Sequence, residues 1–83
     1  MSQVKIYSTN WCAYCKAEKQ FLSENNVAYE DVNVEEDAAA AKEMIDLSNQ
    51  MGVPVTRITR DDKSVVFKVG FDQDWLTNEL KIA

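Results

Sequence analysis

Two thiols in this chain can carry covalent chemistry, and they lie close together in one short motif. Cys12 and Cys15 are the only cysteines, with two residues between them in Trp11-Cys12-Ala13-Tyr14-Cys15. The reactive form of a cysteine is its thiolate. The motif falls where a predicted strand, Val4-Lys5-Ile6-Tyr7-Ser8, hands over to a predicted helix beginning near Ala13. A helix start leaves four backbone N–H groups unsatisfied and carries the positive end of the helix dipole. Both favour a negative charge at Cys12. The second sulfur, one turn on, can close a disulfide with the first. The site reads as a dithiol that cycles between reduced and oxidised.

Two other readings compete. One is half of a zinc site, but four-coordinate zinc needs four ligands, and this chain has no second cysteine pair and no histidine. That leaves a metal or iron–sulfur cluster shared between two copies as the alternative. The other is a pair of buried structural cysteines, which the flanking Trp11 and Tyr14 at a helix start oppose. The lack of histidine also removes the commonest general base.

The elements that position this motif follow from the hydrophobic pattern. In the first strand Val4, Ile6 and Ser8 alternate with Lys5 and Tyr7. Thr9-Asn10 supply turn chemistry before the motif. In the first helix Cys15, Glu18, Leu22 and Asn25 share one side, and Ala17, Phe21 and Leu22 give an apolar stripe. Lys16, Lys19 and Gln20 take the wet side, and Asn25-Asn26 suits a helix stop. A second strand is expected over residues 27–34, with Val32 and Val34 on one face and Tyr29 and Asp31 on the other. Glu35-Glu36-Asp37 place acids at the start of a helix over residues 38–51, whose stripe is Ala41, Met44, Ile45 and Ser48. Gly52 is expected to end it. Residues 53–59 form a third strand with Pro54 at its start, where a missing N–H is tolerated. Asp61-Asp62-Lys63 turn the chain into a fourth strand over residues 64–69. Gly70 breaks that strand. Asp72 or Asp74 caps a last helix carrying Leu76 and Leu80, with Trp75 beside them.

The order is β-α-β-α-β-β-α. The first two strands, joined by a helix, should run parallel with a right-handed crossover. The last two should form an antiparallel hairpin. The simplest packing is an α/β fold with a four-stranded mixed sheet and helices on both faces. Eighty-three residues make one domain, 1–83, since so short a chain buries only about 60–65% of its unfolded surface. The net charge of −5 argues against nucleic acid, which needs a basic footprint. No long apolar run occurs near the start or elsewhere, so neither a signal peptide nor a membrane span is expected. A cytoplasmic location follows, where a lasting structural disulfide is disfavoured.

These pieces together resemble a glutaredoxin, over nearly the whole chain. Tyr14 before the second cysteine is the glutaredoxin choice. Gly52-Val53-Pro54 resembles the family's Thr-Val-Pro. Gly70-Phe71-Asp72-Gln73-Asp74 resembles its Gly-Gly-x-Asp-Asp, and more closely the Gly-Phe-x-x-Asp of NrdH-redoxins and small bacterial glutaredoxin-like proteins. The resemblance implies a thioredoxin fold with Cys12 as nucleophile and Cys15 as resolving thiol. It implies a cis Pro54 packed against the motif, with Val53 offering its backbone to a bound peptide or glutathione. It implies that Asp72, Gln73 and Asp74, at the last helix start, take the γ-glutamyl end of glutathione.

Three positions depart from the pattern. Ala13 stands where proline is usual. Thr9 stands where many glutathione users carry lysine, which removes one carboxylate contact, and Arg57 is the candidate to replace that charge. Trp11 before Cys12 is thioredoxin-like.

The expected activity is thiol–disulfide exchange. Cys12 attacks a protein or glutathione mixed disulfide, and Cys15 then attacks Cys12 and releases the reduced substrate. Cys12 is expected to titrate below a free thiol. No tightly bound cofactor is expected. The electron donor is glutathione as co-substrate or a thioredoxin-reductase-type protein, and the chain is expected to be a monomer.

Trp11 and Tyr14 read as a contact surface rather than core. Phe71 divides evenly between core and rim, and Trp75 reads as core. Asp72 and Asp74 are most simply helix caps, a role compatible with ligand binding. Lys16 and Lys19 fit a solvated face as well as they fit helping a thiolate.

Overall fold

Strand β1 (Gln3–Ser8) is the hub on which the other elements are assembled. The computed structural model describes residues 2–82. After β1 come α1 (Ala13–Glu24), β2 (Glu30–Asn33), α2 (Ala38–Ser48), β3 (Val55–Thr59), β4 (Val65–Val69) and α3 (Gln73–Leu80). The sheet order is β2-β1-β3-β4. β1 pairs with β2 in parallel, from Lys5 opposite Glu30 to Ser8 opposite Asn33. It pairs with β3 antiparallel, and β3 pairs with β4 antiparallel. This is the four-stranded mixed sheet of the thioredoxin fold.

The two faces of the sheet follow from the two-residue period of a strand. Val4 and Ile6 point to one face and meet Ile58 of β3, Leu22 of α1 and Leu76 of α3. Tyr7 points to the other face and meets Val55 of β3 with Ala40 and Met44 of α2. So α1 and α3 cover one side and α2 the other. Leu22, Leu76, Ile6 and Ile58 are at most 1% exposed, each contributing roughly 1.5–3 kcal/mol through burial.

Several boundaries differ from expectation. The second strand covers four residues rather than residues 27–34. Val27 spends its N–H on Leu22 O, 2.9 Å away, as part of the α1 stop, and its side chain joins the core rather than the ladder. That stop uses Asn26 at φ 59°, a left-handed conformation asparagine tolerates. Helix α2 ends at Ser48, not at Met51 before Gly52. Asn49 takes the left-handed position at φ 58° and donates its N–H to Ile45 O at 2.7 Å, which does the work expected of the glycine. Ala40 rather than Ala41 is the buried alanine of α2. In α1, Ala17 is exposed, so the apolar stripe is Cys15 and Leu22 with half-buried Phe21. Strand β3 starts at Val55, just after Pro54, which has no N–H to donate.

Candidate functional site

Register and connections gather the singled-out segments at one end of the sheet. The C-terminal end of β1 leads into the cysteine motif. Because β3 runs antiparallel to β1, its start lies at that same end, with Val55 opposite Tyr7. The end of β4 lies there too, with Val69 opposite Val55. Thus Trp11 to Cys15, the loop ending in Pro54, and Gly70 to Asp74 all leave the sheet at one end. The loop between β1 and α1 is pinned by Val34 N–H to Ser8 O at 3.0 Å and by Asn33 Nδ2 to Asn10 Oδ1 at 2.9 Å.

Cys12 is the N-cap of α1, in extended conformation, and its Sγ accepts the Cys15 N–H at 3.1 Å. A serine or aspartate oxygen would ordinarily fill that place; here a sulfur does. No acidic side chain occupies the first turn of α1, so no carboxylate of that turn opposes a negative charge on that sulfur. Cys12 and Cys15 are joined as a disulfide with their Cα atoms 5.2 Å apart. Cys12 is half-buried while Cys15 is fully buried. An incoming reactant therefore meets Cys12 first. Among the described residues, no group of three or more histidine, cysteine, aspartate or glutamate side chains is arranged to hold a metal ion.

Trp11 is 88% exposed and Tyr14 70%, which places both on the surface beside the pair. Met51, 77% exposed in the loop before Pro54, has the same character; the helical pattern expected over residues 38–51 conceals it in the sequence. Val53 is half-buried against the α2-side core, and the Val53–Pro54 bond is cis. Phe71 resolves toward the core, its ring centroid 5.9 Å from that of Phe21. Trp75 is half-buried against the same cluster. Asp72 is the N-cap of α3, its Oδ1 accepting the Trp75 N–H at 3.0 Å and its Oδ2 3.6 Å from Lys68 Nζ. That N–H bond, with Lys68 nearby, holds its carboxyl below the usual range. Gln73 and Asp74 are exposed on the first turn of α3.

Arg57 does not supply the charge missing at Thr9. Its Nη1 is 3.0 Å from Glu43 Oε1, which also binds Lys5 Nζ at 2.9 Å and the Tyr7 hydroxyl. Lys19 is likewise engaged, 2.9 Å from Asp31 Oδ2. Lys16 is exposed.

One charged side chain breaks the pattern of this face. Glu18 is fully buried, accepts a hydrogen bond from Thr56 Oγ1, and has a second oxygen, Oε1, with no partner. Burial pushes its carboxyl up to about 7, against the opposing effect of Thr56. The only signal for it in the sequence is its place on the Cys15 side of α1.

A surface hollow of about 570 Å³ lies far from the cysteines, lined by residues at the start of β1 and the end of β3 such as Gln3, Lys5 and Thr59. No helix among the described residues is long and apolar enough to cross a membrane.

Comparison with known proteins agrees with this geometry. The sequence model of one family, glutaredoxin, matches residues 4–65. An uncharacterised glutaredoxin-like 8.6 kDa protein from the rubredoxin operon of Clostridium pasteurianum is 43% identical over 70 residues, spanning 84% of this chain and 87% of that protein. The glutaredoxin-like protein NrdH of Lactococcus lactis subsp. lactis is 36% identical over 59 residues, 71% of this chain and 78% of its own. The solved structure of the NrdH-redoxin from Escherichia coli superposes with a TM-score of 0.77 at 25% identity, covering 92% of each chain.

Proposed function

The chain belongs to the glutaredoxin family and is a thiol–disulfide oxidoreductase, and we propose that Cys12 is its nucleophile and Cys15 its resolving thiol. The observation that carries these roles is the asymmetry of the pair. Cys12, whose Sγ caps α1, is only half-buried, whereas Cys15 is fully buried. Cys12 thiolate attacks a substrate disulfide, one substrate sulfur leaves, and a mixed disulfide forms. Cys15 then attacks Cys12 Sγ and releases the second substrate sulfur.

The substrate class is proteins bearing a disulfide or a glutathione mixed disulfide. Trp11, Tyr14 and Met51 offer exposed apolar area around the pair, the kind of surface that anchors a protein partner. The backbone at Val53-Pro54 receives the extended segment of that partner or of glutathione, and Phe71 holds the start of α3 against the core beneath it. For glutathione the first turn of α3, with Asp72, Gln73 and Asp74, takes the α-amino group of its γ-glutamyl end. The protein works as a monomer in the cytoplasm without a tightly bound cofactor.

A second reading of the donor, a thioredoxin-reductase-type protein, is favoured by Thr9. No cation stands there for a glutathione carboxylate, and Arg57 is committed to Glu43. The NrdH-redoxin from Escherichia coli, which shares this fold, has a thioredoxin-like activity profile.

The test is reduction of a small mixed disulfide with glutathione, glutathione reductase and NADPH, using wild type and Cys15→Ser. Turnover that survives in Cys15→Ser establishes glutathione chemistry through Cys12 alone. No turnover with wild type, followed by turnover once thioredoxin reductase replaces the glutathione system, establishes the second donor. Full activity in Cys12→Ser would overturn the nucleophile assignment.

A further inference from the structure

Glu18 is buried at a cost and has no structural task equal to that cost. Ionisable side chains are almost never fully buried without a partner, and buried polar atoms are nearly always hydrogen-bonded. Glu18 is 0% exposed, and Thr56 satisfies only one of its two oxygens. An apolar residue would serve packing better at this position, between Cys15 and Leu22 on the inner side of α1.

Its one reactive neighbour along the helix is Cys15, three residues earlier and equally buried. Side chains three apart on a helix are adjacent, with Cβ atoms roughly 5–6 Å apart. The other charged groups on this face are already engaged. Asp31 of β2 is tied to Lys19, 2.9 Å away, and to Ser8 Oγ of β1 at 2.5 Å. Lys68 of β4, opposite Thr56 in the ladder, lies 3.6 Å from Asp72 at the start of α3. Asp74 is exposed. What shifts Glu18 is burial, countered by Thr56, leaving a carboxyl that exchanges its proton near neutrality. Such groups cluster where protons move.

We infer that Glu18 is the proton acceptor for Cys15 in the resolving step. The inference rests on Cys12 being the nucleophile and Cys15 the resolving thiol. In the mixed disulfide Cys15 is a buried thiol and a poor nucleophile. Its proton passes to the Glu18 carboxylate. The Cys15 sulfur attacks Cys12 Sγ, the Cys15–Cys12 bond forms, and the bond from Cys12 to the substrate sulfur breaks. The substrate leaves with that electron pair as a thiolate and takes its proton from solvent. The substrate disulfide has gained two electrons and the dithiol has lost two. When the protein is reduced again, Glu18 returns its proton to Cys15. Thr56, as donor to Oε2, tunes the acidity of the acceptor and leaves Oε1 free for the thiol.

The two steps separate in time when reduced protein is mixed with one equivalent of 5,5′-dithiobis(2-nitrobenzoate). The first release of aryl thiol reports attack by Cys12, and the second reports resolution by Cys15. In Glu18→Gln the second phase should slow by about tenfold or more and lose its inflection near neutral pH, with the first phase within about twofold of wild type. In Thr56→Val the inflection should move to higher pH, because the hydroxyl that favours the carboxylate is gone. A second phase in Glu18→Gln that matches wild type overturns the inference, and so does an equal slowing of both phases. If Glu18→Gln fails to fold, Thr56→Val decides, and an unmoved inflection overturns the inference. Cys15→Ser separates the two levels of argument. Loss of only the second phase there upholds the cysteine roles whatever Glu18 does, while a persisting second phase sinks the roles themselves.

Discussion

The two faces of the sheet each receive a glutamate from a helix, and the molecule treats the two differently. Glu43 of α2 meets Lys5, Tyr7 and Arg57 at a single oxygen. The Tyr7 hydroxyl above all, then Lys5, hold its carboxyl below the usual value. Glu18 of α1 meets Thr56 alone, and burial raises it to about 7. The α2 face has no cysteine, and its Glu43 is held by Lys5, Tyr7 and Arg57. The α1 face carries the disulfide and keeps a proton in play. The carboxylate on the α2 face is shared by three partners, whereas the carboxylate beside the disulfide has one and leaves an oxygen unpartnered.

The contrast breaks most decisively at the cysteines. Cys12→Ser should lower disulfide-reducing turnover by about a thousandfold or more, whereas Glu43→Gln on the opposite face should leave kcat unchanged. A steady-state assay with a protein disulfide checks both.

The second test is the sign of the pH dependence. Glu18 is raised on folding, so its stabilising contribution is full below about 4.5 and is lost as pH rises through about 7. Glu43 is lowered, so its contribution is present above 4.5 and is lost as pH falls through its folded value. Relative to acid, Glu18→Gln should gain about 3 kcal/mol over wild type at pH 9, since each tenfold change in proton affinity is worth about 1.4 kcal/mol. Urea unfolding of the reduced proteins across pH reads this gain directly.

The third test concerns the exposed apolar collar. Trp11→Ala should raise KM for a protein disulfide by about tenfold while leaving the reaction with a small aryl disulfide nearly unchanged. The smallest effect expected is the stability change in Glu43→Gln. Glu43 is partly solvent-exposed, so its ion pairs are screened and the loss at neutral pH should be about 1 kcal/mol, fading in acid.

The order of elements is legible in the sequence because alternation in the strands and the three-to-four spacing in the helices agree with the final packing. The dithiol is legible because its chemistry is local to five residues. The end of α2 is not, because Asn49 adopts the left-handed conformation that a glycine signal suggests for Gly52. Ala17 misleads because an alanine fits an apolar stripe and a wet face equally well. Arg57 misleads because its partners, Glu43 and Tyr7, are 14 and 50 residues away in sequence, and only strand register and helix packing bring them together. Glu18 falls on the correct side of α1 by spacing alone, but the depth of its burial and its meeting with Thr56 depend on how α1 lies over β3.

The most direct measurement is mass spectrometry of the adducts formed with a peptide disulfide by Cys15→Ser and by Cys12→Ser. The account predicts a stable mixed disulfide on Cys12 in the first variant and no adduct in the second. An adduct on Cys15 in Cys12→Ser, formed as fast as the one on Cys12, would contradict it.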